Sequence, residues 1–132
     1  MDFKAGASVS SYHIVLESDV TKFADASGDF NPLHMDAEYA HGTKFGQRIV
    51  HGAYLNALIS ALLGNVMPGA GTIYLSQFIE YLAPVHIGDE LIIVATVSCR
   101  CLPKRRTKIL TNVWVGDKQV AEGYAIVQLP RA

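Results

Sequence analysis

The chain has 132 residues, half of them hydrophobic, with a formal net charge of −1. That length supports one domain over residues 1–132 with a real core and no second one. The balance of charge leaves no field for gathering nucleic acid, no run approaches the roughly 20 apolar residues of a membrane span, and MDFKAGASVS lacks the apolar middle of a secretion signal, so a cytoplasmic protein is expected with neither nucleic acid nor membrane as partner.

In chain order, YHIVL (12–16) is a short β-rich run. Ser18 or Asp19 is placed to cap a helix running to about Ser27, which GDFNP then ends. A single helical turn is expected at DAEYAHG (36–42). GAYLNALISALLG (52–64) is apolar on nearly every side and bracketed by glycines, and a rod of about 20 Å without a polar face is expected to be wrapped by other elements. After VMPGAG come four runs, roughly 72–83, 90–102, 107–116 and 119–129, rich in Ile, Val, Thr and Tyr. Leu91, Ile93, Ala95 and Val97 alternate with more mixed neighbours, as do Ile109, Thr111, Val113 and Val115, which is the pattern of strands with one better-buried face. One buried helix and one long antiparallel meander predict an α+β architecture, the sheet wrapped around the helix. Open sheet edges in so small a protein predict pairing with a second copy as a homodimer.

Cys99 and Cys101, two apart on a strand, point to the same face, where a bridge is strained, and are expected to be small thiols without chemistry. The KRR cluster (104–106) falls at a hairpin tip, either as a solvated turn or as a contact for ligand phosphates.

The loop GDFNPLH (28–34) concentrates the candidate chemistry. Gly, Asp, Asn and Pro turn a chain, but turn chemistry does not require His34. An Asp and a His five positions apart on a proline-fixed loop can converge on one small molecule. The segment FGQRIVHG (45–52) leads into the long helix, whose first N–H groups begin unpaired and carry about half a positive charge. With no Cβ at Gly52, a carbonyl oxygen can approach them closely. Residues 52, 56 and 60 fall near one line, so Asn56 and Ser60 form a polar stripe. The Ser60 hydroxyl is expected either to bond back to the preceding turn or to reach the Asp29 loop. His34, His41 and His51 with Asp29 or Asp36 lack metal-ligand spacing, so no metal is expected. His51 is expected to position the helix entry by hydrogen bonding, and His13, His41 and His86 read as surface or strand residues.

The string FADASGDFNPLHMDAEYAHGTKFGQRIVHG (23–52) resembles the signature of the MaoC-like (R)-specific enoyl-CoA hydratases, in the short bacterial form linked to polyhydroxyalkanoate synthesis. ISALLG, PGAGTIYL and FIEYLAPVHIGDEL extend the resemblance over nearly the entire chain. It implies a hot-dog fold, a hydro-lyase acting reversibly on trans-2-enoyl-CoA to give (R)-3-hydroxyacyl-CoA, and no cofactor, since CoA is part of the substrate. It also implies site roles: Asp29 and His34 as the catalytic dyad, Asn31 supporting the loop, the Gly52 N–H binding the thioester oxygen, and Ser60 within the helix. Asn56 is a less familiar feature of the family, and Gln77 and Glu80 on the first long strand are more polar than expected for an acyl tunnel wall; these departures bear on acyl-chain preference and not on reaction type. A dehydratase acting on carrier-protein thioesters and a hot-dog thioesterase are the alternatives.

Overall fold

The computed structural model describes residues 4–99 and 102–130. The chain forms β1 (Ser8–Ile14), α1 (Glu17–Ser27), α2 (Pro32–Met35), α3 (Ala37–His41), α4 (Gly52–Asn65), β2 (Ile73–Tyr81), β3 (Glu90–Cys99), β4 (Arg106–Val115) and β5 (Lys118–Gln128). The strands make one antiparallel sheet in the order β1-β3-β4-β5-β2. Packed across it, α4 buries Leu55, Ile59, Leu62 and Leu63 against Leu91, Ile93, Ala95 and Val97 of β3 and Ile109 and Val113 of β4. Each such side chain contributes about 1.5–3 kcal/mol on leaving water. This is the α+β hot-dog arrangement, a sheet curled over one long helix.

Four local expectations need correction. β1 begins before the apolar run: SVSSYHI pairs along β3 from Ser8 opposite Thr96 to Ile14 opposite Glu90, while the fully buried Val15 has already left the strand. α1 is capped by neither Ser18 nor Asp19; Leu16 is the N-cap, and the Asp19 carboxylate accepts the Leu16 N–H (2.8 Å) from inside the first turn. α2 was not expected, because Pro32 reads as a helix stop. Here it occupies the first helical position, where its missing N–H costs nothing, behind the Asn31 cap. Finally, only β3, β4 and β5 form a meander. β2 lies beyond β5, with Phe78 opposite Tyr124, because residues 82–89 carry the chain back across the fold and are pinned there by Val50 N–H to the Val85 carbonyl (2.7 Å) and by the Ile49–His86 bridge.

The helix is also less enclosed than its composition predicts. Ala53, Ala57 and Ala61 face outward along α4, leaving a smooth side uncovered in the single chain. Cys99 is disulfide-bonded, which corrects the expectation of free thiols there; a bulge at Val97–Cys99 breaks the strand alternation on which that expectation rested. Cys101 lies outside the described residues. Lys104 and Arg105 turn the β3–β4 connection with φ of 61° and 57°, so the basic cluster does sit at a hairpin tip. Among the described residues, no helix is long and apolar enough to cross a membrane.

Candidate active site

The site begins where α1 stops. Gly28 takes the left-handed conformation (φ 80°) and its N–H bonds the Ala24 carbonyl, ending the helix and turning the chain outward. Asp29 follows and its Oδ1 accepts the Asn31 N–H (3.2 Å), while Asn31 Oδ1 accepts the Leu33 N–H (3.0 Å). Pro32 then starts the short α2, whose third residue is His34. One helical turn thus brings the imidazole back over the carboxylate that precedes it.

Two contacts fix His34. Its Nδ1–H donates to the Ile49 carbonyl (2.8 Å), which leaves Nε2 as the free, lone-pair nitrogen of the neutral ring. Its own carbonyl accepts from Arg48 Nε (2.6 Å), and the same guanidinium pairs with Glu17 (2.7 Å), tying α1 to the loop before α4.

His51 joins the two halves of the site. Its ring is 1% exposed and Nε2–H donates to the Asp29 carbonyl (3.0 Å). It stacks on His34 with ring centroids 4.1 Å apart and packs against Phe23 at 5.0 Å. Its Nδ1 is buried without a hydrogen-bond partner among the described residues. Asp29, His34 and His51 each bring a carboxylate oxygen or ring nitrogen within 4.8 Å of the other two. The same trio is the set that could hold a cation; His41 and Asp36 stand outside it.

Next to this cluster, α4 begins at Gly52. Its N-cap His51 gives no side-chain hydrogen bond to the helix, so the first amides have no capping side chain. A Cβ at residue 52 would lie 2.8 Å from Cζ of Tyr81, whose ring covers the glycine. His34, Gly52, Phe45, Leu55 and Tyr81 line one cleft of about 540 Å³, with Lys44 beside them. Asp29 is exposed and does not line the cleft itself, but its carboxylate reaches the imidazole that does. Burial raises the Tyr81 hydroxyl above its ordinary value, so the wall beside Gly52 is neutral.

Other residues singled out by sequence fall in different places. Asn56 bonds the Tyr74 hydroxyl (2.8 Å). Ser60 is half-buried and makes neither of the two bonds expected of it among the described residues. None of Lys104, Arg105 and Arg106 lines the cleft. His41 is exposed and His86 sits in the bridge to Ile49, as strand or surface residues do. His13 is a strand residue of β1, and Asp19 and Tyr54 each approach its Nε2 at 3.0 Å. Arg48 and Tyr81 carried no sequence signal; for His51, adjacency to Gly52 was the usable one.

Residues 2–121 match the family model of the MaoC like domain. The chain belongs to the MaoC-like family. Its relatives include the 3-hydroxybutyryl-CoA dehydratase of Methylorubrum extorquens, 41% identical over 117 residues that span 89% of this chain and 74% of that protein. Another is the (R)-specific enoyl-CoA hydratase of Rhodospirillum rubrum, 40% identical over 129 residues, 98% of this chain and 90% of that one. In three dimensions the MaoC-like chain is similar to the (R)-hydratase from A. caviae involved in PHA biosynthesis, with a TM-score of 0.93 and 36% identity over 97% of this chain and 98% of that one. The resemblance read from residues 23–52 therefore holds over nearly the whole molecule.

Proposed function

We propose that this MaoC-like protein is a hydro-lyase that adds water reversibly to trans-2-enoyl-CoA and forms (R)-3-hydroxyacyl-CoA, the product serving PHA synthesis as in the A. caviae relative. The observation that carries this reading is the approach of the Asp29 carboxylate and the His34 imidazole within 4.8 Å of each other beside the cleft that holds Gly52.

Both groups accept hydrogen bonds: the carboxylate through its oxygens, the ring through Nε2, since Nδ1–H is committed to Ile49. A water between them donates one hydrogen to each and turns its oxygen lone pair toward C3 of the enoyl group. As the C3–O bond forms, the pair takes one proton from water and the C2–C3 π electrons move toward the thioester oxygen. That oxygen docks at the Gly52 N–H, where preorganised donors are worth about 3 kcal/mol each to the developing charge. The pair then returns a proton to C2 on the face from which water arrived. Dehydration runs the same steps backwards. Asn31 keeps Asp29 in place and Ser60 lies further along α4 on the line of Gly52.

We also propose a homodimer joined at β2. This edge strand leaves Ile73 and Phe78 about half exposed, and the alanine face of α4 is uncovered beside it.

Incubation with a short trans-2-enoyl-CoA tests the reaction. Loss of the conjugated chromophore without free thiol, with the (R)-alcohol as product, is expected. Thiol release without hydration makes the protein a thioesterase, and activity confined to carrier-protein thioesters makes it a carrier-protein dehydratase.

A further inference from the structure

Within the loop that carries Asp29 and His34 the bonds are local, the Asn31 N–H to Asp29 Oδ1 and the Leu33 N–H to Asn31 Oδ1. Bonds of that kind shape a turn but do not fix it against the rest of the fold. The fixing comes from residues 48–51. Arg48 Nε–H donates to the His34 carbonyl (2.6 Å), the Ile49 N–H to the Leu33 carbonyl (3.3 Å) and His51 Nε2–H to the Asp29 carbonyl (3.0 Å). In return, the Ile49 carbonyl accepts from the His34 ring (2.8 Å). The segment is itself anchored to residues 82–89: Val50 N–H bonds the Val85 carbonyl (2.7 Å) and His86 Nδ1–H the Arg48 carbonyl (3.1 Å). Each member of the dyad thus has its backbone carbonyl held by one side chain of the same short strap.

We infer that Arg48 and His51 are positioning residues that set the gap between the Asp29 carboxylate and the His34 imidazole, and with it the place of the reacting water. This rests on Asp29 and His34 being the dyad, as proposed above. Neither Arg48 nor His51 lines the cleft, so their effect reaches the substrate only through the two residues they hold. His51 adds a second constraint. Its ring stacks on His34 at 4.1 Å and is backed by Phe23 at 5.0 Å, so His34 is held by its Nδ1–H at one edge and by a flat neighbour on its face. The His51 ring does not pass protons on. Its Nε2–H is committed to a carbonyl and its buried Nδ1 meets no partner among the described residues, which leaves no acceptor to continue a relay. The Arg48–Glu17 pair is separate from the grip on His34, since it uses a different nitrogen of the guanidinium. A misplacement of about 1 Å at the reacting groups costs about 100-fold in rate even when the change is made away from them.

The test is steady-state kinetics of the whole protein on trans-2-butenoyl-CoA, with melting curves beside it. His51→Leu, close to histidine in size, removes both the donor and the ring; kcat is expected to fall about 100-fold with KM within about threefold of wild type. His51→Gln returns an N–H near the place of Nε2 and is expected to recover about tenfold of that loss. Arg48→Met releases the other carbonyl, with the same split between kcat and KM, and serves if the leucine variant does not fold. Glu17→Gln, which weakens the exposed ion pair alone, is expected to leave kcat within about twofold. Because both grips serve one gap, the Arg48→Met, His51→Leu double variant is expected to lose much less than the product of the single losses. Four results overturn the positioning roles and leave hydration intact: kcat unmoved in folded variants, KM rising while kcat holds, His51→Gln no better than His51→Leu, or Glu17→Gln as damaging as Arg48→Met. A wild type that hydrates neither this substrate nor trans-2-octenoyl-CoA overturns the dyad and its supports together.

Discussion

Asp29 and His34 face each other because of what stands between them: a cap, a proline and one turn of helix. Asp29→Asn keeps the Oδ1 that accepts the Asn31 N–H and removes only the charge, so the loop is expected to persist while turnover falls about 100-fold to 10,000-fold. Steady-state kinetics beside a melting curve checks this; normal turnover in a folded variant removes Asp29 from the reaction. Gly52→Ala acts differently. The new Cβ would press on the Tyr81 ring at 2.8 Å, and that side chain is half exposed and free to swing away. The fold is expected to survive, with the methyl and the displaced ring crowding the thioester oxygen and kcat/KM falling about 100-fold, the size of losing one oxyanion donor. Unchanged kinetics would take the carbonyl away from this helix end. That Asp29 and His34 converge and that α4 opens at Gly52 was legible in the sequence, because their spacing is local. The bonds from His51 to the Asp29 carbonyl and from Arg48 to the His34 carbonyl were not, since any residue offers a carbonyl and only the fold decides which one lies in reach.

At the scale of elements, two tyrosines tie α4 to its surroundings. Tyr54 meets His13 of β1, near Asp19 of α1, and Tyr74 of β2 meets Asn56. Burial first, then the Asp19 charge, pushes the Tyr54 hydroxyl up to about 12; burial, then Tyr81, does the same for Tyr74. The folded chain thus holds these protons more tightly than the unfolded one, whose tyrosines ionise near 10.0. Their contribution is complete below pH 10 and is lost as pH rises toward about 12, where the unfolded state has released protons that the folded state still keeps. Denaturation midpoints followed across that window should fall, and the Tyr54→Phe, Tyr74→Phe double variant should fall less steeply; equal slopes would mean the two hydroxyls are not held in this way. Strand interiors were read correctly from alternation: Leu91, Ile93, Ala95 and Val97 are all buried. Order within the sheet was not, because pairing β2 with the far side of β5 depends on where residues 82–89 dock, a tertiary fact with no local pattern. Polar serines likewise hid the first half of β1, which lies on a sheet edge where one polar face is tolerated.

For the molecule as a whole, the unresolved demand is the β2 edge. β1 and β2 bound the sheet, and β2 carries the larger apolar load, with Phe78 stacked on Tyr124 at 5.7 Å and still 51% exposed. Two such edges related by a two-fold axis would pair antiparallel, extend the sheet through both chains and bring the alanine faces of the two α4 helices toward one another. Because a two-fold contact repeats every change on both sides, Phe78→Asp would set two carboxylates close to the axis, where like charges across a strand pair repel. Sedimentation equilibrium should give about twice the 14.3 kDa chain mass for the wild type and a shift toward one chain for the variant, with the far-ultraviolet spectrum unchanged. A wild type that sediments as a single chain at micromolar concentration would leave β2 unpaired and assign the exposed apolar strand to some other cover.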